Sequence, residues 1–64
     1  MFIKATIKVT KENTIWINLD NVTMVTPCIN GTTLHFTGGG QVNVVEDFDT
    51  IRERITFAEA MRKV

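Results

Sequence analysis

Residues 33–47 read TLHFTGGGQVNVVED, and the fold turns on what the three glycines do there. Gly38, Gly39 and Gly40 stand three positions after His35, the only histidine of the chain. A phosphate-cradling loop of the P-loop kind needs a Lys-Ser/Thr pair and a helix whose N-terminus faces the phosphates. Neither follows here. The glycines run into Gln41-Val42-Asn43-Val44, an alternating strand pattern, and no Lys or Arg lies between Lys11 and Arg52. The dinucleotide fingerprint fails for want of its spacing and its helix. The glycines are therefore read as a hairpin turn, supplying positive φ between two strands.

Working toward the N-terminus, period two continues. Leu34 and Phe36 share one face of a strand over residues 32–37, and Thr33, His35 and Thr37 share the other. Asn30-Gly31 is a strong turn pair. A strand over 22–26 places Val22 and Met24 together, and Pro27, which has no N–H for a ladder, ends it or marks its edge. Asp20-Asn21 makes a turn. A strand before it points Ile15, Ile17 and Leu19 inward and Trp16 and Asn18 outward. The opening strand has Ile3, Ala5, Ile7 and Val9 on one face, with Lys4, Thr6, Lys8 and Thr10 toward water. KENT, residues 11–14, connects them. The fifth strand is 41–45, with Val42 and Val44 paired. The expected fold class is α+β: a five-stranded antiparallel β-meander over 1–46, twisted and partly barrel-like, followed by a C-terminal helix over 47–64 within a single domain.

The period changes at Asp47, a good N-cap. Phe48, Ile51, Ile55 and Ala58 recur at helical spacing, and Asp49 suits the first turn. Phe57, Met61 and Val64 form a second apolar set on a roughly opposite face. Thr56 to Glu59 has the capping-box form. Either the helix breaks near Thr56, or it continues with one face on its own sheet and the other on a neighbouring subunit. The second option suits a short chain. Its 64 residues bury only about 60% of the unfolded surface, so such domains need a staple or a partner. One Cys and one His provide neither an internal disulfide nor a metal set.

Seven basic residues balance seven acidic ones, which disfavours general nucleic-acid binding. The start of the chain alternates and carries no long apolar run, so neither a secretory signal nor a membrane span is expected. A single free thiol, Cys28, fits a cytoplasmic setting and reads as a small buried group. His35 lacks a recognisable triad. Trp16 is the most informative side chain. It falls on the polar face of its strand, so the C-terminal segment, a second subunit or a stacking ligand must cover it. Arg52, Arg54 and Arg62 form part of an alternating charge face and suit an anion if assembly gathers several copies.

INLDNVTMV (residues 17–25) and GTTLHFTGGGQVNVVEDFDTI (residues 31–51) together resemble the small FlbD-like family of bacterial proteins, first associated with flagellar operons. The family shares an IxIN-type second strand, a T-x-I/L-x-F/L-x-x-G hairpin and a V-x-E-S-x-x-x-I helix start. Here the last reads Val44, Glu46, Asp47 and Ile51, with aspartate in place of serine. The resemblance implies a strand meander with a helix, a non-enzymatic role and no catalytic residues to carry over. The segment from Thr56 onward lies outside it.

The expectation is a non-catalytic, cofactor-free, homo-oligomeric binding or regulatory protein of bacterial or phage origin, a dimer or tetramer. It acts on an unidentified protein partner, with Trp16, Phe57, Met61 and Val64 at the subunit interface. The alternative is a small-ligand binder that captures a nucleotide or other anion between subunits, lined by Trp16, His35, Arg52, Arg54 and Arg62. Phage proteins that sequester defence signalling nucleotides offer the analogy. An enzyme or a nucleic-acid-binding regulator ranks below both.

Overall fold

The computed structural model describes residues 1–9 and 13–62, except for the Arg62 side chain. Five strands precede one helix: β1 (Phe2–Thr6), β2 (Thr14–Asn18), β3 (Val22–Cys28), β4 (Gly31–Phe36), β5 (Gln41–Val44) and α1 (Phe48–Arg62). The α+β class and the helix position agree with the sequence pattern.

The single meander does not form. β1 and β2 make one antiparallel sheet, and β3, β4 and β5 make another in that order. The chain passes between them through a 3₁₀ turn at Leu19–Asn21. There Asn18 Oδ1 accepts from the Asp20 N–H at 3.0 Å, and the Val22 N–H bonds the Leu19 carbonyl. These local bonds redirect the chain, so β3 pairs with β4 and not with β2. A single bridge, Ile7 with Val44, ties the end of the first sheet to β5. It is flanked by Lys8 N–H to Asn43 O at 2.9 Å and Val45 N–H to Thr6 O at 3.0 Å. No barrel closes.

The glycine loop is a hairpin turn. Gly38 and Gly39 take φ of 93° and 95°, and the Phe36 N–H reaches the Gly40 carbonyl at 2.8 Å. Asn30 turns the preceding hairpin with φ of 58°, a left-handed value that asparagine tolerates. Gly31 is needed for a different reason. A Cβ there would lie 2.1 Å from the Val44 carbonyl oxygen.

The core is Ile3, Ala5, Ile17, Leu34, Val44 and Ile51. Inward positions read from alternation largely hold, with three corrections. Val9 is 90% exposed, because β1 ends at Thr6 and only Ile7 bridges onward. Val22 and Met24 do not share a face. A register shift between them leaves Met24 exposed and lets Val25 pack on the core instead. Of the two readings of Pro27 the edge holds: β3 runs on to Cys28 with Pro27 paired to Thr32, and it is the outer strand of its sheet. Leu19 leaves the strand for the 3₁₀ turn, yet still packs on the core.

Helix α1 starts where Asp47 predicts. Asp47 Oδ1 accepts from the Thr50 N–H at 2.8 Å, and the Thr50 hydroxyl together with that N–H holds the Asp47 carboxyl below its ordinary value. The helix runs through Thr56 without a break. Ile51 is fully buried, with Ile55 and Ala58 beside the core, while Phe48 lies at the margin, 37% exposed. Val64 and its expected interface role lie outside the described residues.

Candidate functional site

Alternation along β1 and β2 sends Ile3, Ala5 and Ile17 into the core and leaves Phe2, Lys4 and Trp16 on the opposite face. The register puts Lys4 across from Trp16, so the Lys4 Nζ sits 5.0 Å from the Trp16 ring centroid. That is a cation–π contact. Helix α1 runs alongside β1. Between helix and hairpin lies an open groove of about 600 Å³, bounded by Phe2, Lys4 and Trp16 on one side and Glu53, Arg54 and Phe57 on the other. Phe2, Trp16 and Phe57 are 53%, 64% and 68% exposed.

Arg54, on the groove wall, is held in place by Glu46. Arg54 Nη1 donates to the Lys4 carbonyl at 2.7 Å and to Glu46 Oε2 at 3.2 Å. Glu46 in turn accepts from the Thr6 N–H at 2.9 Å and the Thr6 hydroxyl at 3.0 Å. The Thr32 hydroxyl donates to the Glu46 carbonyl at 2.8 Å. Burial pushes the Glu46 carboxyl up, but the hydrogen bonds from backbone N–H groups, the Thr6 hydroxyl and Arg54 outweigh it. The net effect holds Glu46 below its ordinary value. Two side chains thus cap backbone groups along the outer edge of β1, where a further strand would pair.

The site residues expected from sequence are not all gathered here. Trp16 and Arg54 line the groove together, with Phe57. Met61 is 58% exposed on the same helix. His35 is elsewhere, on the second sheet, where its Nε2 lies 3.1 Å from the Thr26 hydroxyl. Arg52 pairs with Asp49 at 3.7 Å and borders a small hollow with Phe48 and Ile55. A single pocket holding His35, Arg52 and Trp16 is therefore not formed within one chain. The Arg62 side chain is outside the description.

Phe2, Lys4 and Glu53 line the groove without standing out in the sequence, and neither does Glu46, which holds Arg54. Alternation already placed Lys4 on the Trp16 side of its hairpin, and the register alone was lacking. Glu46 gave no such signal, because its contact with Thr6 joins residues forty positions apart.

Cys28 lies 3.9 Å from Lys8 Nζ, and the same ammonium donates to the Ile29 carbonyl. Among the described residues no three His, Cys, Asp or Glu side chains are grouped to hold a metal ion, and no helix is long and apolar enough to cross a membrane. The groove can stack flat apolar groups on Trp16 and Phe57 and offer two cations and one carboxylate at its rim. Comparison of the chain with known protein families, curated proteins and solved structures found no match.

Proposed function

We propose that this chain is a small, non-catalytic, homo-oligomeric binding protein that acts by protein–protein contact, with the groove face as part of a subunit interface. It would work in a bacterial or phage-infected cytoplasm, in line with the FlbD-like resemblance. One observation carries the reading: Phe2, Trp16 and Phe57 are all more than half exposed around one groove. A small monomer rarely leaves so many large apolar groups together in water. A second copy suits the face because the net charge is zero, so self-association meets no overall repulsion. Glu53 and Lys4 at the groove also offer opposite charges to a two-fold mate.

Sedimentation equilibrium tests this. The wild-type chain is expected above its 7.2 kDa chain mass, and Phe57→Asp is expected to weaken assembly. A wild-type chain that stays monomeric at millimolar concentration refutes the proposal.

The second reading is capture of a nucleotide or similar anion. It is favoured by Lys4 over Trp16, a cation beside a stacking surface in the same groove as Arg54. It is weakened by Arg54 being already engaged with Glu46. Stabilisation by a cyclic nucleotide in a thermal-shift screen would select it.

A further inference from the structure

The strand edges of this molecule are guarded unequally. Along the outer edge of β1, Lys4 O and Thr6 N are capped by Arg54 and Glu46, and Thr6 O and Lys8 N are taken by the chain following and within β5. That pairing also covers the C-terminal end of the outer edge of β5. The outer edge of β3 carries Pro27 and an irregular register at Val22/Met24, two common devices against edge pairing. β2 carries neither. Its five residues, TIWIN, include no charge, no proline and no register shift, and among the described strands none pairs with its outer edge.

The outward groups of that edge follow from the register. The Ile7 N–H bonds Asn13 O and the Leu19 N–H bonds Met1 O. Odd-numbered residues of β2 therefore exchange hydrogen bonds with β1, and the backbone groups of Thr14, Trp16 and Asn18 point away from it. Trp16 is the central residue of the strand. An antiparallel partner of the same sequence, centred on Trp16, pairs Trp16 with Trp16 and Thr14 with Asn18. The edge is its own complement under a two-fold axis.

We propose that two copies join through the outer edges of β2, antiparallel and centred on Trp16, giving one four-stranded sheet. This rests on the homo-oligomeric reading and adds a second contact to it: the edge joins two copies, and the groove face, which stays open at the flanks of that pair, is left to meet a further copy in a tetramer. A two-stranded hairpin is marginal in water, whereas four strands on a shared core are not. The axis stands perpendicular to the sheet, so both Trp16 rings lie side by side on one face. Each keeps its own Lys4 on the far side. The two grooves then lie at the flanks of one aromatic surface, running from Phe57 of one copy to Phe57 of the other.

Amide hydrogen exchange on the wild-type chain, read with sedimentation equilibrium across a dilution series, tests the pairing. In the associated state the Trp16 N–H should exchange on the order of 100-fold more slowly than in the dilute monomer. Trp16→Lys sets like charges directly opposite each other and removes the aromatic pair, and should weaken association on the order of 30-fold or more. The exchange measurement decides the case even if that variant fails to fold. A dimer whose Trp16 N–H exchanges as fast as in the monomer overturns the edge pairing and leaves self-association standing. So does a folded Trp16→Lys chain that still dimerises normally. A wild-type chain that never associates overturns both.

Discussion

The two faces of the β1–β2 hairpin differ in almost every physical respect. Inside, Ile3, Ala5 and Ile17 are at most 4% exposed and pack with Ile51 of the helix. Outside, Phe2 and Trp16 are more than half exposed and meet only Lys4 and an open groove. Both faces carry large apolar groups. The inner face accounts for the fold. The outer face carries an apolar surplus, which the proposed association would cover. Helix α1 repeats the division, with Ile51 buried and Phe57 68% exposed.

The sharpest way to break this comparison is a matched pair on the helix. Ile51→Ala should cost about 2–5 kcal/mol of folding stability through lost burial and a cavity. Phe57→Ala should change the monomer by less than about 0.5 kcal/mol. Urea denaturation of both, at a concentration where the wild type is monomeric, measures the difference. Equal costs would mean that Phe57 belongs to the core.

A smaller effect is expected at the junction of the two faces. Glu46→Ala leaves the Thr6 N–H without its acceptor and should cost roughly 1–3 kcal/mol. The Glu46 side chain is 13% exposed, so solvent replaces the lost bond only in part. Its pH dependence has a definite direction. The folded protein holds this carboxyl below its ordinary value of 4.5, so the folded state binds the proton less readily than the unfolded chain. The stabilisation is complete above about the ordinary carboxylate range and is lost as pH falls through the depressed folded value. Wild type should lose more stability than Glu46→Gln across that acid window, read by thermal melts.

The smallest expected effect is the difference between two kinds of glycine. Gly39→Ala meets nothing within 4 Å and bears only the strain of a φ of 95°, about 1 kcal/mol. Gly31→Ala drives a methyl group against the Val44 carbonyl and should cost more, about 1–3 kcal/mol. Denaturant midpoints of the two variants give the order.

Much of the fold is legible in local pattern. Alternation identifies the strands and most of the core, Asn30 and Gly38-Gly39 mark turns, and Asp47 marks the helix start. These features depend on residues within a few positions of each other. The irregular register at Val22/Met24 is not legible, because one extra residue reverses every later inward assignment on that strand. Nor is the division into two sheets, which depends on the 3₁₀ turn at Leu19–Asn21 and not on the strands. Of the site, Trp16 stands out as a large ring on an outward position, and Phe57 as a second apolar helix face. Their meeting across one groove requires the packing of α1 against β1. His35 and Arg52 share polarity with the site but not its location, since composition says nothing about which face of which sheet a residue occupies.

The short turn at Leu19–Asn21 has a consequence for how the molecule is held together. It is the covalent link between the hairpin and the elements that follow, while the core, the Ile7–Val44 bridge and the hydrogen bonds of Lys4 O to Arg54 and of Thr6 to Glu46 provide the noncovalent ones. The hairpin is in effect a peptide ligand docked in cis. Severing the backbone at Asp20, which is exposed, would convert it into one docked in trans, with affinity set by those same contacts.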